Sequence, residues 1–382
     1  MQMSPLRVAL VYNQKKKEAP QQYSRDDSND PPSLGGQTTS PLDHRPSFRS
    51  LSTPSSDLYA EWDTVETIDA VRAALAEVHD VSLVEADEFA HAKLLSDRPD
   101  IIFNIAEGLY GVSREAQMPA IFEMLQIPYT GSDPLTLAVC LDKSRTKEIL
   151  SYHNIPTPKF AVVSDVAEIS AVRLQFPCMV KPLHEGSSKG IFNNSLVTNA
   201  SEFRQQVSSI IEKYNEPALI EEYLPGREFT IAMLGNGEEL KVLPIVEIKF
   251  DSLPTGVNPI YSYEAKWIWD RAEDPLDIFE CPANISSQLR KDIEATCRKA
   301  YTALRCRDWC RIDVRLDADA KPHILELNPL PGILPNPEDN SCFPKAARAA
   351  GLKYNQLIQS VLVLASMRYN LIETIPSLQP TI

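Results

Sequence analysis

Glycine is scarce in this chain: 13 of its 382 residues are Gly against 30 Pro, roughly 3% and 8% where globular averages are about 7% and 5%. That excludes a collagen-like or glycine-rich fibrous protein. No stretch approaches the roughly 18 consecutive apolar residues of a membrane span; Ser360 to Ala365 is typical of the longest runs, so no membrane partner is expected. A basic excess is missing too, because 38 Lys and Arg against 52 Asp and Glu give a net charge of −14. An acidic chain repels phosphate backbones, and no Lys/Arg stripe alternates with aromatics, so no nucleic-acid partner is expected. The N-terminus lacks a basic-then-apolar signal pattern, since Leu6 to Val11 is short and Lys15, Lys16 and Lys17 follow it; the chain reads as cytoplasmic. The seven Cys are odd in number and scattered, and Cys306 and Cys310 lack a second ligand pair. Reduced thiols are expected rather than disulfides or zinc ligands.

What is present is ordinary globular substance, 43% hydrophobic and 24% charged, long enough at about 150 residues per domain for two or three domains. Leu6 to Tyr12 reads as a buried first strand. From about residue 13 to 57 the apolar pattern disappears, and Pro20 to Asp57 alone holds nine Ser and six Pro. Such a stretch cannot bury enough apolar surface to offset its ordering entropy, so a disordered insert is expected. Val65, Ile68, Val71, Leu75 and Val78 then recur at helical spacing, with Asp63 and Glu66 as the expected cap. Strands at 81–84, 100–104 and from 127, with a helix at 115–126, imply a parallel α/β layer over residues 1–135. No GxGxxG follows the first strand, which argues against dinucleotide binding. A helix is expected over 135–154, then strands at 159–163, 178–181 and 218–223 and a helix over 201–214. The last third reads as strands at 229–234, 241–248, 311–316 and 323–327, with helices near 286–304 and 344–366.

Arg311-Ile-Asp-Val-Arg-Leu316, a turn, and His323-Ile-Leu-Glu-Leu-Asn328 read as a β-hairpin. Pairing Asp313 with Glu326 and Arg311 with Asn328 sets Ile312, Val314 and Leu316 opposite Leu327, Leu325 and His323, facing the core. Arg311, Asp313, Glu326 and Asn328 then share the other face, and a one-residue slip would mix the two. Two carboxylates and an amide oxygen suit Mg²⁺, which takes further ligands from phosphates; a solvated sheet face with charge pairs would carry the same residues. Lys181 to Gly190 sets a lysine at a strand end before a Gly/Ser loop, groups that can meet a polyphosphate. A surface turn looks similar, and GxxxxGK[ST] is absent. Leu219-Ile-Glu-Glu-Tyr-Leu224 could offer strand backbone to an adenine edge and Glu228 a carboxylate to ribose, although an edge strand and a turn is the plainer reading.

In order, Leu141-Asp-Lys143, Val180-Lys-Pro182, Glu185-Gly-Ser-Ser188, Glu221-Glu-Tyr-Leu224, Gly226-Arg-Glu228, Tyr263-Glu-Ala-Lys266, Arg311-Ile-Asp313, Glu326-Leu-Asn328 and Pro331-Gly332 resemble the ATP-grasp family, and within it the D-alanine–D-alanine ligases. Ile127 to Ser132 and Phe343 to Gly351 fit the same branch, and the resemblance runs from about Trp62 to Ala365. It implies an α/β and α+β architecture: a Rossmann-like pre-ATP-grasp domain over 1–135 with the insert at 13–57, then an ATP-grasp central subdomain over 136–224 and a C-terminal subdomain over 225–382. ATP would lie between antiparallel sheets. Lys143 and Lys181 would bind its phosphates, under a loop containing Glu185 and Ser188. Glu221, Glu222 and Leu224 would hold adenine, and Glu228 the ribose. Asp313, Glu326 and Asn328 would ligate two Mg²⁺, with Mn²⁺ as a substitute, and Lys266 would approach the γ-phosphate on a mobile loop. A substrate carboxylate would attack that phosphate, and an amine would then attack the acyl phosphate. Arg311 and the backbone N–H of Gly332 suit the tetrahedral oxyanion. The implied partners are small amino-acid substrates, and a homodimer is the family expectation.

Three departures gather where the amino acid would be read. D-alanine ligases usually carry a Gly-Gly loop after the first strand, with a glutamate that holds the first substrate's ammonium; here Asn13-Gln-Lys-Lys-Lys17 opens the insert instead. Glu107-Gly108 stands where His-Gly is frequent, and Trp267 where Tyr usually follows Glu-Ala-Lys. Ser187 matches a serine that in the family joins that glutamate and tyrosine, and Trp267 has an N–H donor but no phenolic acceptor. Glu107 could receive an ammonium instead, with a surface carboxylate as the alternative. Ser341 matches the contact to the second substrate's carboxylate, after an insert containing Pro335-Asn-Pro337. ATP activation is expected to be intact. Substrate choice then lies between joining two amino acids, D-alanine by family default, and attaching one to a different acceptor in secondary metabolism. A nucleotide-binding regulator without turnover is the reading from another class.

Overall fold

The computed structural model describes residues 4–16, 59–173, 175–269, 276 and 278–372. The expected disorder over 17–57 therefore lies outside the described residues. Residues 13–16 do not: Asn13 is buried, Gln14 bridges Asp63, and the Lys15 N–H donates to the Asp63 carbonyl at 2.7 Å. The insert boundary set at 13 is corrected accordingly, and the two banks of the insert are tied by backbone hydrogen bonds.

β1 (Arg7–Tyr12) is the centre of a parallel sheet, flanked by β2 (Asp80–Glu85) and β3 (Ile101–Asn104). Its continuous apolar run follows from burial on both faces. Val8 and Leu10 pack with α1 (Val65–Ala76), while Ala9 and Val11 pack with α2 (Ala90–Asp97) and α3 (Gln117–Leu125). The cap of α1 is Thr64, whose side chain accepts from the Thr67 N–H, rather than Asp63. The helix expected over 135–154 is two, α4 (Pro134–Leu141) and α5 (Lys143–Tyr152). Asp142 between them is extended, and its carboxylate accepts from the Ser144 and Arg145 N–H groups. This cap sets Lys143 in the first turn of α5.

The second layer is an antiparallel sheet of β4 (Phe160–Val163), β5 (Cys178–Pro182), β6 (Leu196–Val197) and β7 (Ala218–Glu222), in the order β4-β7-β5-β6, backed by α6 (Ala200–Tyr214). The third sheet contains β8 (Glu228–Leu234), β9 (Lys241–Val242), β10 (Val246–Ile248), β11 (Phe279–Glu280), β12 (Trp309–Leu316) and β13 (Pro322–Asn328). Its order is β11-β10-β8-β12-β13 with β9 on β8, and α7 (Ser287–Ala303) covers its back. The strand expected over 241–248 is interrupted around Pro244, which has no N–H for the ladder. The helix expected over 344–366 is split into α8 (Cys342–Ala349) and α9 (Tyr354–Arg368) around Gly351, at φ +81. α9 returns to the first layer, where Gln359 Nε2 donates to the Ala74 carbonyl at 2.7 Å.

The hairpin pairs Arg311 with Asn328, Ile312 with Leu327 and Asp313 with Glu326, then shifts, so that Val314 faces Ile324, Arg315 faces His323 and Leu316 faces Pro322. The uniform register expected beyond Asp313 is corrected by this bulge. A bulge sets two residues of one strand against one of its partner. Here Leu325 and Glu326 both line the cleft, while Ile324 and Leu327 stay in the core.

At the start of β12 the layers are bolted together. Asp308 is fully buried, and its carboxylate accepts from Gly131 N, Asn236 Nδ2 and Arg368 NH2, each at 2.8 Å. Trp309 packs edge-on against Phe103 and Phe343, with centroids 5.8 Å away in both pairs. Breaking a buried ion pair by removing one partner costs about 3–5 kcal/mol. Asp308→Ala should lower the free energy of urea unfolding by that amount; a loss below about 1 kcal/mol, the scale of an exposed pair, would refute the bolt.

Candidate active site

The front faces of the second and third sheets meet across a cleft. Met179, Lys181 and Glu221 look from one side toward Glu228, Thr230, Asp313, Arg315, Leu325 and Glu326 on the other, around a cavity of about 250 Å³. A second cavity of about 90 Å³ adjoins it, and Ser187, Lys266, Arg311, Glu326 and Gly332 line both. Of the other residues singled out in the sequence, Glu185, Ser188, Glu222, Leu224 and Ser341 line the larger cavity. Glu107, Lys143 and Asn328 line the smaller one. The Trp267 side chain lies outside the described residues.

The end of the cleft around Lys181 is held by buried ion pairs. Glu221 sits between Lys147 at 2.5 Å and Lys181 at 2.7 Å. Burial would raise the Glu221 carboxyl, but the two ammonium groups outweigh it and bring it down to about 2. With that carboxylate occupied, the main chain is what this strand can offer to a base. Lys143 Nζ donates to the Glu185 carbonyl at 2.6 Å and lies 3.7 Å from the Glu326 carboxylate. The Glu185 carboxylate pairs with Arg114 and Lys189, which fixes the loop that carries it. Ser187 and Ser188 are both left-handed, at φ +49 and +60, a conformation costly for residues with a side chain. Ser188 Oγ donates to the Tyr261 carbonyl at 3.0 Å, closing the loop against the segment that leads to Lys266. Lys266 lies in a π-helical turn over Ala265–Trp269; burial, with Arg311 adding, lowers its ammonium to about 8.

Arg311 bonds both oxygens of Asp313, at 3.1 and 3.0 Å, and lies 3.6 Å from Glu326. Asn328 Nδ2 is 3.4 Å from Asp313 and 3.3 Å from Glu326. Among the described residues no group of three or more His, Cys, Asp or Glu has the arrangement of a metal centre. The set here is two carboxylates and an amide, all oxygen donors. It fits a hard cation that completes its shell from phosphates and water.

Sequence reasoning missed several residues that the fold brings here. A glutamate reaches the smaller cavity from beyond the insert: Glu61 accepts from Arg114 at 2.9 and 2.7 Å and from the Gly186 N–H at 2.8 Å. A Cβ on residue 186 would lie 2.5 Å from Glu61 Oε1, so a side chain there would push the Glu61 carboxylate aside. Glu61, Asp63, Glu107 and Glu115 together make an acidic wall on the smaller cavity. Burial raises Glu107 well above the usual carboxylate range, with Glu115 and Glu61 adding to it; burial likewise brings Glu115 and Asp63 to about 7. Glu107 is therefore a cavity residue, and the surface alternative is set aside. Lys147 lay four residues after Lys143, on the same helix face. Arg315 lay two residues after Asp313, on the same strand face. Those spacings were the available signals.

The comparisons agree with this geometry. Residues 149–363 match the family model described as D-ala D-ala ligase C-terminus. The chain is 36% identical over 317 residues to an uncharacterized protein, y4sG, of Sinorhizobium fredii, covering 81% of this chain and 90% of that one. It is 33% identical over 299 residues to the D-alanine–D-alanine ligase of Bordetella petrii, covering 78% and 85%. The solved D-alanine–D-alanine ligase of Bacillus anthracis complexed with ATP superposes with a TM-score of 0.64 at 20% identity, covering 96% of this chain and 99% of that one. VanG D-Ala:D-Ser ligase of Enterococcus faecalis gives 0.64 at 20% identity, covering 95% and 100%. Fold and cleft define an ATP-grasp ligase, a class that forms amide bonds. Within that class the chain belongs to the D-alanine–D-alanine ligase family.

His184 fastens the start of the Glu185–Gly190 loop to α5. Its Nδ1 lies 2.9 Å from Glu216 and its Nε2 3.6 Å from Asp142, the cap of α5. Burial alone would lower its pKa, but the hydrogen bonds to Asp142 and Glu216 outweigh it and raise the imidazole to about 9. A histidine whose pKa is raised in the folded state contributes stability that is complete below its unfolded value of about 6.5 and lost as pH rises through the folded one. The melting temperatures of wild type and His184→Gln should therefore differ most below about pH 6.5 and converge above 9. A constant difference would refute the charged clasp.

Proposed function

We propose that this protein joins two amino acids with ATP and Mg²⁺, the first being a small amino acid such as D-alanine. The observation that carries this reading is the junction of the two cavities at Lys266, Arg311 and Glu326. A carboxylate in the smaller cavity would lie beside the phosphate end of the larger. Adenine would rest on Leu224 and Leu325 and bond to the main chain after Glu221, with Glu222 at the rim and Glu228 at the ribose. Lys143 and Lys181 would take the phosphates, and Asp313, Glu326 and Asn328 would hold Mg²⁺. When bound, the metal supplies neutralising charge for the transferring phosphoryl group.

The substrate carboxylate oxygen attacks the γ-phosphorus as the bond to the β-phosphate oxygen breaks, giving ADP and an acyl phosphate. The amine of the second substrate then attacks the acyl carbon, loses a proton, and expels phosphate. Arg311 and the Gly332 N–H face the oxyanion of that step, and Ser341 the second substrate's carboxylate. The first substrate's ammonium would enter the acidic wall at Glu61 and Glu107, near Ser187 and the Trp267 turn. A cation there would draw protons off the raised carboxyls. The volume of about 90 Å³ favours a small side chain.

ADP release measured over D- and L-amino acids, singly and in pairs with product mass, should show dependence on D-alanine and a D-alanyl-D-alanine product. A product linking an amino acid to a different amine would move the substrate assignment, and no stimulation by any amino acid or amine would overturn the ligase reading. Arg311→Ala should lower kcat by about 10²–10³-fold, the usual effect of losing an oxyanion donor. Near wild-type turnover in that variant would remove the oxyanion role.

A further inference from the structure

The larger cavity holds a buried arginine to which the proposed chemistry gives no task. We propose that Arg315 is a positioning residue for nucleotide selectivity: it fixes the Glu228 carboxylate so that the site distinguishes a ribose from a deoxyribose. This rests on the ATP-dependent reading above and concerns the sugar end of the same cleft.

Arg315 is 5% exposed. Its NH1 donates to Glu228 Oε2 at 2.7 Å, and its NH2 donates to Tyr223 Oη and to the Pro259 carbonyl, both at 2.9 Å. Its guanidinium lies 4.8 Å from the centroid of the Tyr223 ring and 5.4 Å from that of Phe250. Four separate segments thus converge on one side chain, and its planar fork leaves little freedom in how Glu228 is presented. With Oε2 taken by Arg315, Oε1 is the oxygen for a sugar hydroxyl.

The backbone supports a role in orientation rather than folding. Arg315 and Glu228 are register partners in adjacent strands, the Gly226 N–H donates to the Leu316 carbonyl at 3.0 Å, and the Leu316 N–H to the Arg227 carbonyl at 2.9 Å. Glu228 therefore keeps its place in the ladder without the Arg315 side chain; what it loses is its aim. The position along the strand agrees. Arg311, Asp313 and Arg315 share the cleft face of β12, at steps of about 6.6 Å. They would meet, in turn, the reacting carbonyl, the phosphates and the sugar.

The test is calorimetric binding of ATP, 2′-deoxy-ATP and 3′-deoxy-ATP, each with Mg²⁺, to the full chain. Wild type should bind ATP at least about tenfold tighter than either deoxynucleotide, as expected for hydroxyl bonds to a charged acceptor. Arg315→Met should narrow that ratio to about threefold or less, by weakening ATP while the deoxynucleotides change little. Arg315→Lys, which keeps a charge beside Glu228, should fall between, and it carries the test if the Met variant does not fold. Tyr223→Phe, which leaves the Glu228 pair intact, should keep most of the ratio. The proposal is overturned if wild type does not discriminate, if Arg315→Met keeps the wild-type ratio, or if it weakens all three nucleotides alike. Wild type that discriminates but releases no ADP with any amino acid would overturn the ligase reading and uphold this one.

Discussion

β12 lies between β8 and β13, and the alternation of its side chains is the constraint on which the site depends. Ile312, Val314 and Leu316 are buried under α7, while Arg311, Asp313 and Arg315 turn to the cleft. Because the period is two, the strand cannot slide by one residue without exchanging a buried apolar row for a charged one. Asp308 and Trp309 hold its beginning, and the pairing with Thr230 and Glu228 holds its second half. The charges in the cleft thus inherit their spacing from a core that would resist any shift.

Around that strand, the cleft is built from ions that satisfy one another. Glu221 lies between two lysines, Arg114 between Glu61 and Glu185, and His184 between Asp142 and Glu216. Buried pairs of this kind add little net stability, since desolvation consumes most of the attraction, but they are intolerant of the loss of one partner. Their effect here is geometric. Each one ties together segments that border the cleft. A chain with a net charge of −14 in this way keeps lysine and arginine where an anionic substrate would need them.

The hairpin carboxylates were legible because a two-residue period is visible in a sequence, and the ordered motifs placed the two lysines and the serine loop in one cleft. The bulge after Asp313 was not legible: Leu325 and Ile324 are both apolar, so either could have faced the core. The break at Asp142 was hidden because apolar and basic residues continue a helical pattern across it, and only the cap geometry divides them. Lys147 resembles any charged residue on a helix until the fold buries it completely. Glu61 was missed for a different reason, since a polar stretch separates it from the strand it stands beside. All seven cysteines are free thiols, as their scattered spacing suggested.

The clasp between Asn13–Lys15 and Asp63 brings the foot of that separation back to the strand. Closing a chain excursion costs an entropy that grows only with the logarithm of its length, and here the closure is made by main-chain bonds at the excursion's foot. Glu61 stands just outside that clasp, two residues before Asp63, and is held there by the Arg114 guanidinium and the Gly186 N–H. The corner that would read the substrate is thereby insulated from drift in the segment next to it in sequence, and the same foot is a natural point for grafting a foreign module onto the enzyme.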